Sequence, residues 1–231
     1  MPTRLTRELA ELRSRLLDMA TIVAEQFTDA VDALLDHDVE KAERVAARDR
    51  EVDTLELEVD EACERILARH QPVASDLRTL LTVEKINTDL ERIGDHCRNV
   101  ARNTKHVREA PDLLDVLQLR EMSQTARRMV DNAKQAFLDQ DADLARRVPE
   151  IDDEVDRLHH ENFQTLVDYI QSHPEHAEVA AHLITASKAV ERISDHATNI
   201  AKGVVFLIEG VDIRHEGARE RPPVGDGPVG K

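Results

Sequence analysis

Apolar residues recur at spacings of three and four along most of the chain, which is the period of an amphipathic α-helix. The first run predicts a helix from Thr3 or Thr6 to about Asp36. Its apolar stripe comprises Leu5, Leu9, Leu12, Leu16, Met19, Val23, Phe27, Ala30, Val31 and Leu34. A second helix, capped by Asp38, is predicted to end near His70.

The break at Gln71-Pro72 separates the second helix from a third. Ser75 or Asp76 is the predicted cap of the third helix, which reaches about Val107.

The same periodicity predicts three further helices after a break at Pro111. The fourth runs from about residue 112 to 139 and the fifth to about Ser172. After a break at Pro174, the sixth continues to about Glu209.

The chain contains an internal repeat. Residues 91–101 share seven of eleven identities with residues 191–201, at an offset of 100, which far exceeds chance. Residues 36–38 (Asp-His-Asp) are similarly repeated at 139–141 (Asp-Gln-Asp), at an offset of 103. The change of offset predicts that three residues are missing from the second half, near Pro174.

These patterns predict an all-α protein made of two tandem, pseudo-symmetric antiparallel three-helix bundles, with six helices in all. The predicted domains are residues 1–109 and 110–213. Residues 214–231 are rich in Gly and Pro and are predicted to be a disordered tail. Pro149 falls inside the fifth helix, where it predicts a kink or a late helix start.

Composition supports this fold and narrows the function. Aromatic residues make up only 2% of the chain, so the core is predicted to consist of Leu, Ile, Val and Ala. The net charge of −16 disfavours nucleic-acid binding. No apolar run reaches the length of a membrane span, and the N-terminus does not resemble a signal peptide. Cys63 and Cys97 lack metal-ligand spacing, so we expect buried, reduced thiols and a cytoplasmic location.

The repeated motif places an acid, a second acid and an Asn at intervals of four residues, along one face of a helix. These positions are Glu91, Asp95 and Asn99 in the first copy and Glu191, Asp195 and Asn199 in the second. The preceding helices carry a matching pair of aspartates four residues apart, Asp49 with Asp53 and Asp152 with Asp156. If these helices pack side by side, four carboxylates and an Asn converge in each half.

Such a cluster requires cations, basic residues or protons, because unpaired charges at close range are costly. Its oxygen atoms suit ions such as Mg, Mn, Ca or iron. Ion pairs with Arg92 and Arg192 are the alternative, and a solvated acidic face is the simplest interpretation; spacing does not choose among them. His96 and His196 are interpreted as polar flanking residues, and His159-His160 is predicted to lie at the surface.

Nothing in the sequence indicates catalysis. A di-iron bundle enzyme would carry Glu-x-x-His on two helices. The sequence has only Asp-x-x-His, at Asp156-x-x-His159 in a predicted helix and at Asp212-x-x-His215 beyond the last predicted helix. The GxGxxG spacing occurs only at residues 225–230, within the Gly- and Pro-rich tail rather than between a predicted strand and a helix. A metal-storage protein or metal-dependent enzyme on a helical bundle and a purely structural helical spacer remain as alternatives to a binding protein.

Several stretches together resemble the PhoU family, over residues 5–215. They are Asp49-x-x-x-Asp53, Val59-Asp60-Glu61-Ala62-Cys63, Gln71-Pro72-Val73-Ala74-Ser75-Asp76-Leu77-Arg78, both Glu-Arg-Ile-x-Asp motifs, and Asp212-Ile213-Arg214-His215. The resemblance implies a cytoplasmic, non-enzymatic adaptor that negatively regulates phosphate uptake and the phosphate-starvation response. The implied partners are the ATPase subunit of the phosphate ABC transporter and a sensor histidine kinase, through which the protein is peripheral to the membrane.

The resemblance also implies carboxylate-bound, multinuclear metal clusters of iron, manganese, magnesium or zinc. Their ligands would be Asp49, Asp53, Glu91 and Asp95 in one half and Asp152, Asp156, Glu191 and Asp195 in the other, with Asn99 and Asn199 as weaker candidates. The sequence leaves open which metal binds and whether two copies form a homodimer.

Overall fold

The fold was examined in a computed structural model that describes residues 3–213, which are almost entirely α-helical. The α-helices are α1 (Arg4–Leu35), α2 (Val39–His70), α3 (Ala74–Val107), α4 (Leu119–Asp139), α5 (Ala142–Arg147), α6 (Pro149–Ser172) and α7 (Ala177–Glu209). One 3-10 segment (Pro111–Val116) precedes α4 and another (Pro174–His176) precedes α7. The predicted tail, residues 214–231, lies outside the described residues.

The two halves share a turn that the sequence repeat had indicated. His37 and Gln140 both adopt the left-handed conformation, with φ of 57° and 53°. Asp38 and Asp141 follow them, and each carboxylate accepts a hydrogen bond of 2.9 Å from a backbone N–H three residues later. Both turns thus end one helix and cap the next by the same chemistry.

Two predicted helix starts were wrong. α3 begins at Ala74 after Val73, which provides no side-chain cap, so Ser75 and Asp76 lie within the first turn. α4 begins at Leu119 rather than near residue 112, because the preceding segment buries Leu113 as a 3-10 helix. The sequence before α4 has a helical pattern, but the packing of this linker against the core determines its conformation.

The irregularity predicted at Pro149 is confirmed. α5 ends at Arg147 and α6 begins with Pro149 at its first position, where the missing N–H costs no intrahelical hydrogen bond. The fifth predicted helix is therefore divided into a short and a long segment.

Helices α1, α2 and α3 pack against one another, as do α4, α6 and α7, and α3 packs along α7 in the most extensive contact of the structure. The core is mainly aliphatic, as predicted, with Phe27 and Phe137 as its buried aromatic residues. Cys63 and Cys97 are buried free thiols. The division of the chain at residues 109 and 110 stays a prediction. No helix in the described part of the chain is long and apolar enough to span a membrane.

Candidate functional site

The repeated motif lies on the two central helices, α3 and α7, and its apolar flank is buried as expected. Leu90, Ile93 and Cys97 of the first copy are at most 2% exposed. The acids therefore lie at the edge of the core rather than on the outer face of the helix. This position raises the cost of keeping them charged.

In the first half, α2 and α3 bring together an N-terminal acidic cluster, defined as Asp49, Asp53, Glu56, Glu91 and Asp95. Asp49 is buried, and this burial raises the pKa of its carboxyl group. The nearby Arg98 guanidinium opposes the rise, while the carboxylates of Asp53 and Asp95 add to it. Burial likewise raises the pKa of Glu91.

Arg98 is the main counter-charge of the N-terminal acidic cluster. Its guanidinium donates one hydrogen bond to Asp49 and another to Asp95, thereby linking α2 to α3. Sequence analysis missed this residue because it considered the repeated Arg92 instead. Arg92 does pair with Glu91 and Asp95, but at 3.4 and 3.5 Å and with an exposed side chain.

Glu56 is a further acid that sequence analysis did not assign to the cluster. Burial raises the pKa of its carboxyl group, and the charges of Asp60 and Asp53 raise it further. Its position one helical turn beyond Asp53, on the same face of α2, was the signal that could have identified it.

In the second half, α6 and α7 bring together a C-terminal acidic cluster, defined as Asp152, Asp156, Glu191 and Asp195. Desolvation raises the pKa values of Asp152, which is half-buried, and of Asp156, which is more exposed. The Asp195 carboxylate adds to both rises, and Glu191 adds more than Asp195 to that of Asp156. The charged partners lie on α7 alone. Lys188 Nζ is 2.6 Å from Glu191, and Arg192 Nη1 is 2.9 Å from Asp195.

Asp152 of this second cluster has no cation beside it among the described residues. The position of Arg98 is occupied by Thr198, and Asp152 faces Thr198 and Ser194. The Ser194 hydroxyl donates to the Glu191 backbone carbonyl at 2.6 Å, and its single hydrogen is thus committed. Asp152 Oδ1 and Thr198 Oγ1 are both buried, and neither has a partner at hydrogen-bonding distance and angle. The hydroxyls of Ser194 and Thr198 are nevertheless close enough to offset part of the rise in the pKa of Asp152. An unpaired, buried carboxylate oxygen is a group that a bound cation would satisfy.

His159 adjoins the C-terminal acidic cluster, whereas its neighbour His160 is exposed as predicted. The surface prediction was therefore wrong for His159, which is half-buried and whose Nδ1 lies 2.9 Å from Ser187 Oγ. Burial lowers the pKa of His159, although Glu191 opposes this shift. The Asp156-x-x-His159 spacing, which puts both on one face of α6, was the available signal.

The two asparagines predicted as weaker metal ligands, Asn99 and Asn199, make different hydrogen bonds. Asn99 accepts a hydrogen bond from Asn103 through its backbone carbonyl, at 2.7 Å. The Asn199 side chain points toward Asp89 of α3, at 3.5 Å. Asp89 also lies 2.8 Å from His196 Nδ1. Asn199 is therefore directed to the contact between α3 and α7.

No three of the eight predicted carboxylates in the described residues bring their ligand atoms within 4.8 Å of one another. The ion pairs predicted with Arg92 and Arg192 are present. A metal would therefore require side-chain rotations within the clusters. Metal binding by the ten predicted residues stays a prediction.

Comparison with known proteins places this geometry in a family. The family model of the PhoU domain matches the chain twice, at residues 16–104 and 119–204. The chain belongs to the PhoU family. The resemblance drawn from the sequence motifs is confirmed, and the two matches correspond to the two sets of three packed helices.

The relatives cover nearly the full length of this PhoU-family chain. It is 40% identical to the phosphate-specific transport system accessory protein PhoU homolog of Pseudomonas aeruginosa, over 91% of this chain and 87% of the relative. It is 39% identical to the protein of the same name from Pseudomonas putida, over 92% and 83%. The crystal structure of PhoU from Pseudomonas aeruginosa superposes with a TM-score of 0.84 at 38% identity, covering 90% of this chain and all of that chain. The predicted fold class is confirmed.

Proposed function

We propose that this chain is a non-enzymatic accessory protein of a phosphate transport system, acting in the cytoplasm as a negative regulator of phosphate uptake and of the phosphate-starvation response. The observation that carries this proposal is the match of both halves to the PhoU domain, with relatives that are named for that transport system. Its action is binding: the protein connects the transporter's ATPase subunit with a sensor histidine kinase.

The surface chemistry supports a docking role. The chain has a net charge of −16, and charged residues make up 34% of it. Such a surface favours association with basic patches on partners and opposes binding to nucleic acid. In the described residues, the titratable groups with raised pKa values lie in acidic clusters or are buried thiols, apart from the exposed Arg157.

The C-terminal acidic cluster fits a metal better than the N-terminal one. Asp152, Asp156, Glu191 and Asp195 supply oxygen ligands for a hard or borderline divalent cation, and Asp152 Oδ1 is buried without a partner. In the N-terminal cluster, Arg98 already occupies the equivalent space between Asp49 and Asp95. A bound cation would offset the repulsion among the acids and fix α6 against α7.

The adaptor role can be tested in a host whose own gene for the PhoU-family protein is deleted. The chain should restore repression of alkaline phosphatase in high phosphate and should co-purify with the ATPase subunit and the kinase. Full repression in the deletion host without the chain, or a folded chain that neither represses nor retains either partner, would contradict the proposal. Metal analysis of the same purified complex tests the metal proposal separately.

A further inference from the structure

The ends of α3 and α7 meet at a histidine pair that lies outside both acidic clusters. His106, in the last turn of α3, stacks against His182 of α7 with ring centroids 3.7 Å apart and ring planes inclined by 7°. Glu178 lies one turn before His182 on α7. Within residues 3–213, these are the only three His, Cys, Asp or Glu side chains whose ligand atoms all lie within 4.8 Å of one another.

A hydrogen bond fixes which nitrogen of His182 is free. Asn103 donates through Nδ2 to the Asn99 carbonyl at 2.7 Å, so its Oδ1 is the atom that faces His182. His182 Nδ1 lies 2.8 Å from that oxygen and must donate to it. Nε2 of a neutral His182 then carries the lone pair. A ligand histidine whose other ring nitrogen donates to a carbonyl oxygen is the usual arrangement in metal sites.

The environment keeps His182 in the ligand form. Burial lowers the pKa of His182, and the neighbouring His106 lowers it further, whereas Glu178 opposes the shift. Two closely stacked imidazoles cannot both be protonated without repulsion. Both His106 and His182 are partly accessible, so a cation can reach them from solvent.

We propose that His106, Glu178 and His182 form a site for a borderline divalent cation, with Zn²⁺ as the best match, that joins α3 to α7. Two imidazoles and one carboxylate, with a water as fourth ligand, are a preferred set for zinc. A tetrahedral ion with bonds of about 2.0–2.1 Å needs ligand atoms about 3.3 Å apart. The two rings are nearly parallel, so the His106 ring must tilt out of the stack for its lone pair to meet that of His182, which the Asn103 hydrogen bond holds in place. The ligands are separated by 72 residues of sequence, which is why spacing alone did not reveal them.

The test is Zn²⁺ titration of the chelator-treated, full-length chain in excess Mg²⁺, which occupies oxygen-only sites and competes poorly for imidazole. The wild-type chain should retain one Zn²⁺ at this site, and added Co²⁺ should give the intense visible bands of a site of low coordination number. His106→Gln and His182→Gln should each weaken Zn²⁺ binding by more than about 100-fold, since replacing a ligand should exceed the loss of a ligand's hydrogen-bond partner.

Two variants make the test specific. His160→Gln removes an exposed histidine of α6 and should leave Zn²⁺ affinity unchanged. Asn103→Ala should weaken binding by about 10-fold or more, because it frees His182 to rotate. Far-UV circular dichroism checks that every variant is folded. Equal Zn²⁺ affinity in the wild type and in the double variant of His106 and His182, or no Zn²⁺ retained by the wild type in Mg²⁺, would overturn the proposal.

Discussion

The N-terminal and C-terminal acidic clusters occupy equivalent positions on one repeated scaffold, but they are neutralised differently. The first contains Arg98, which bridges its innermost acid Asp49 to Asp95. The second has Thr198 at that position, and Asp152, the repeat equivalent of Asp49, has a buried oxygen without a hydrogen-bond partner. Similar backbones therefore carry one cluster with its own cation and one that lacks a cation at its centre.

Three other repeat positions around the clusters also differ between the two halves. Gly94, Thr88 and Glu56 of the first half correspond to Ser194, Lys188 and His159 of the second. The second half thus moves its positive charge outward to Lys188 and places an imidazole where the first half has an acid. Four acids are kept in each half, whereas the residues around them, including Glu56 and His159, decide whether a site can accept an external ion.

The largest expected effect is the loss of Arg98. Arg98→Thr leaves the buried Asp49 facing Asp53 and Asp95 without a cation, and removing one partner of a buried pair costs about 3 kcal/mol or more. We expect a loss of about 2–4 kcal/mol in the free energy of unfolding, because the Arg98 side chain is itself 28% exposed. Urea denaturation in chelator measures it.

Arg102→Thr, which changes an exposed arginine one turn further along α3, is the matched control. It should alter stability by less than about 0.5 kcal/mol. A similar cost for both variants would show that Arg98 acts through helix propensity rather than through the cluster.

The next effect is metal-dependent stabilisation by the C-terminal acidic cluster. Mn²⁺ at 100 times its Kd should raise the free energy of unfolding by about 2.7 kcal/mol in the wild type. Asp152→Asn should remove most of this gain, because it removes the charged carboxylate whose Oδ1 has no hydrogen-bond partner. Thermal unfolding with and without Mn²⁺ provides the measurement.

Asp49→Asn changes the equivalent residue of the first half and serves as the control. The increment from Mn²⁺ should persist, because the ion is expected at the other cluster. If Asp49→Asn abolished the increment and Asp152→Asn preserved it, the assignment of the metal to the second half would be reversed.

An arginine introduced into the second half tests whether the missing cation accounts for the difference between the clusters. Thr198→Arg places a guanidinium where Arg98 lies in the first half, within reach of Asp152 and Asp195. A hydrogen bond to a charged group contributes about 1.5–3 kcal/mol, so a net gain of about 1 kcal/mol in chelator is expected after the cost of burying the side chain. The response to Mn²⁺ should disappear at the same time.

Thr198→Gln has a comparable polar side chain without the charge, and it should give no such gain. Calorimetry of the two variants with and without Mn²⁺ distinguishes charge from size. Retention of the full Mn²⁺ response by Thr198→Arg would mean that the ion binds away from Asp152.

The contrast between the clusters also marks how far sequence reasoning reaches. The repeat and the 3.6-residue period predicted the helices, the shared turns at His37 and Gln140, and the break at Pro149. These features could be predicted because each is determined by residues that are close together in the sequence. Arg98 and His159 were missed because their roles depend on which helix faces which. The site formed by His106 and His182 was missed for the same reason, since it exists only where the end of α3 meets the start of α7.

The smallest expected effect concerns pH. Burial raises the pKa of Asp152 above its ordinary value of 3.8, so the folded chain binds this proton more tightly than the unfolded chain. Ionised Asp152 therefore destabilises the fold at neutral pH, and Asp152→Asn should be more stable than the wild type by about 1 kcal/mol in chelator at pH 7. As the pH falls toward 3.8 the wild-type carboxylate becomes protonated in the folded chain, and the difference should vanish below that value.

Asp153→Asn, an exposed neighbour on α6, should show no such pH-dependent difference. An advantage of Asp152→Asn that persists unchanged at pH 3.5 would show that its origin is not the charge of Asp152, and the cluster's need for a cation would lose its electrostatic basis.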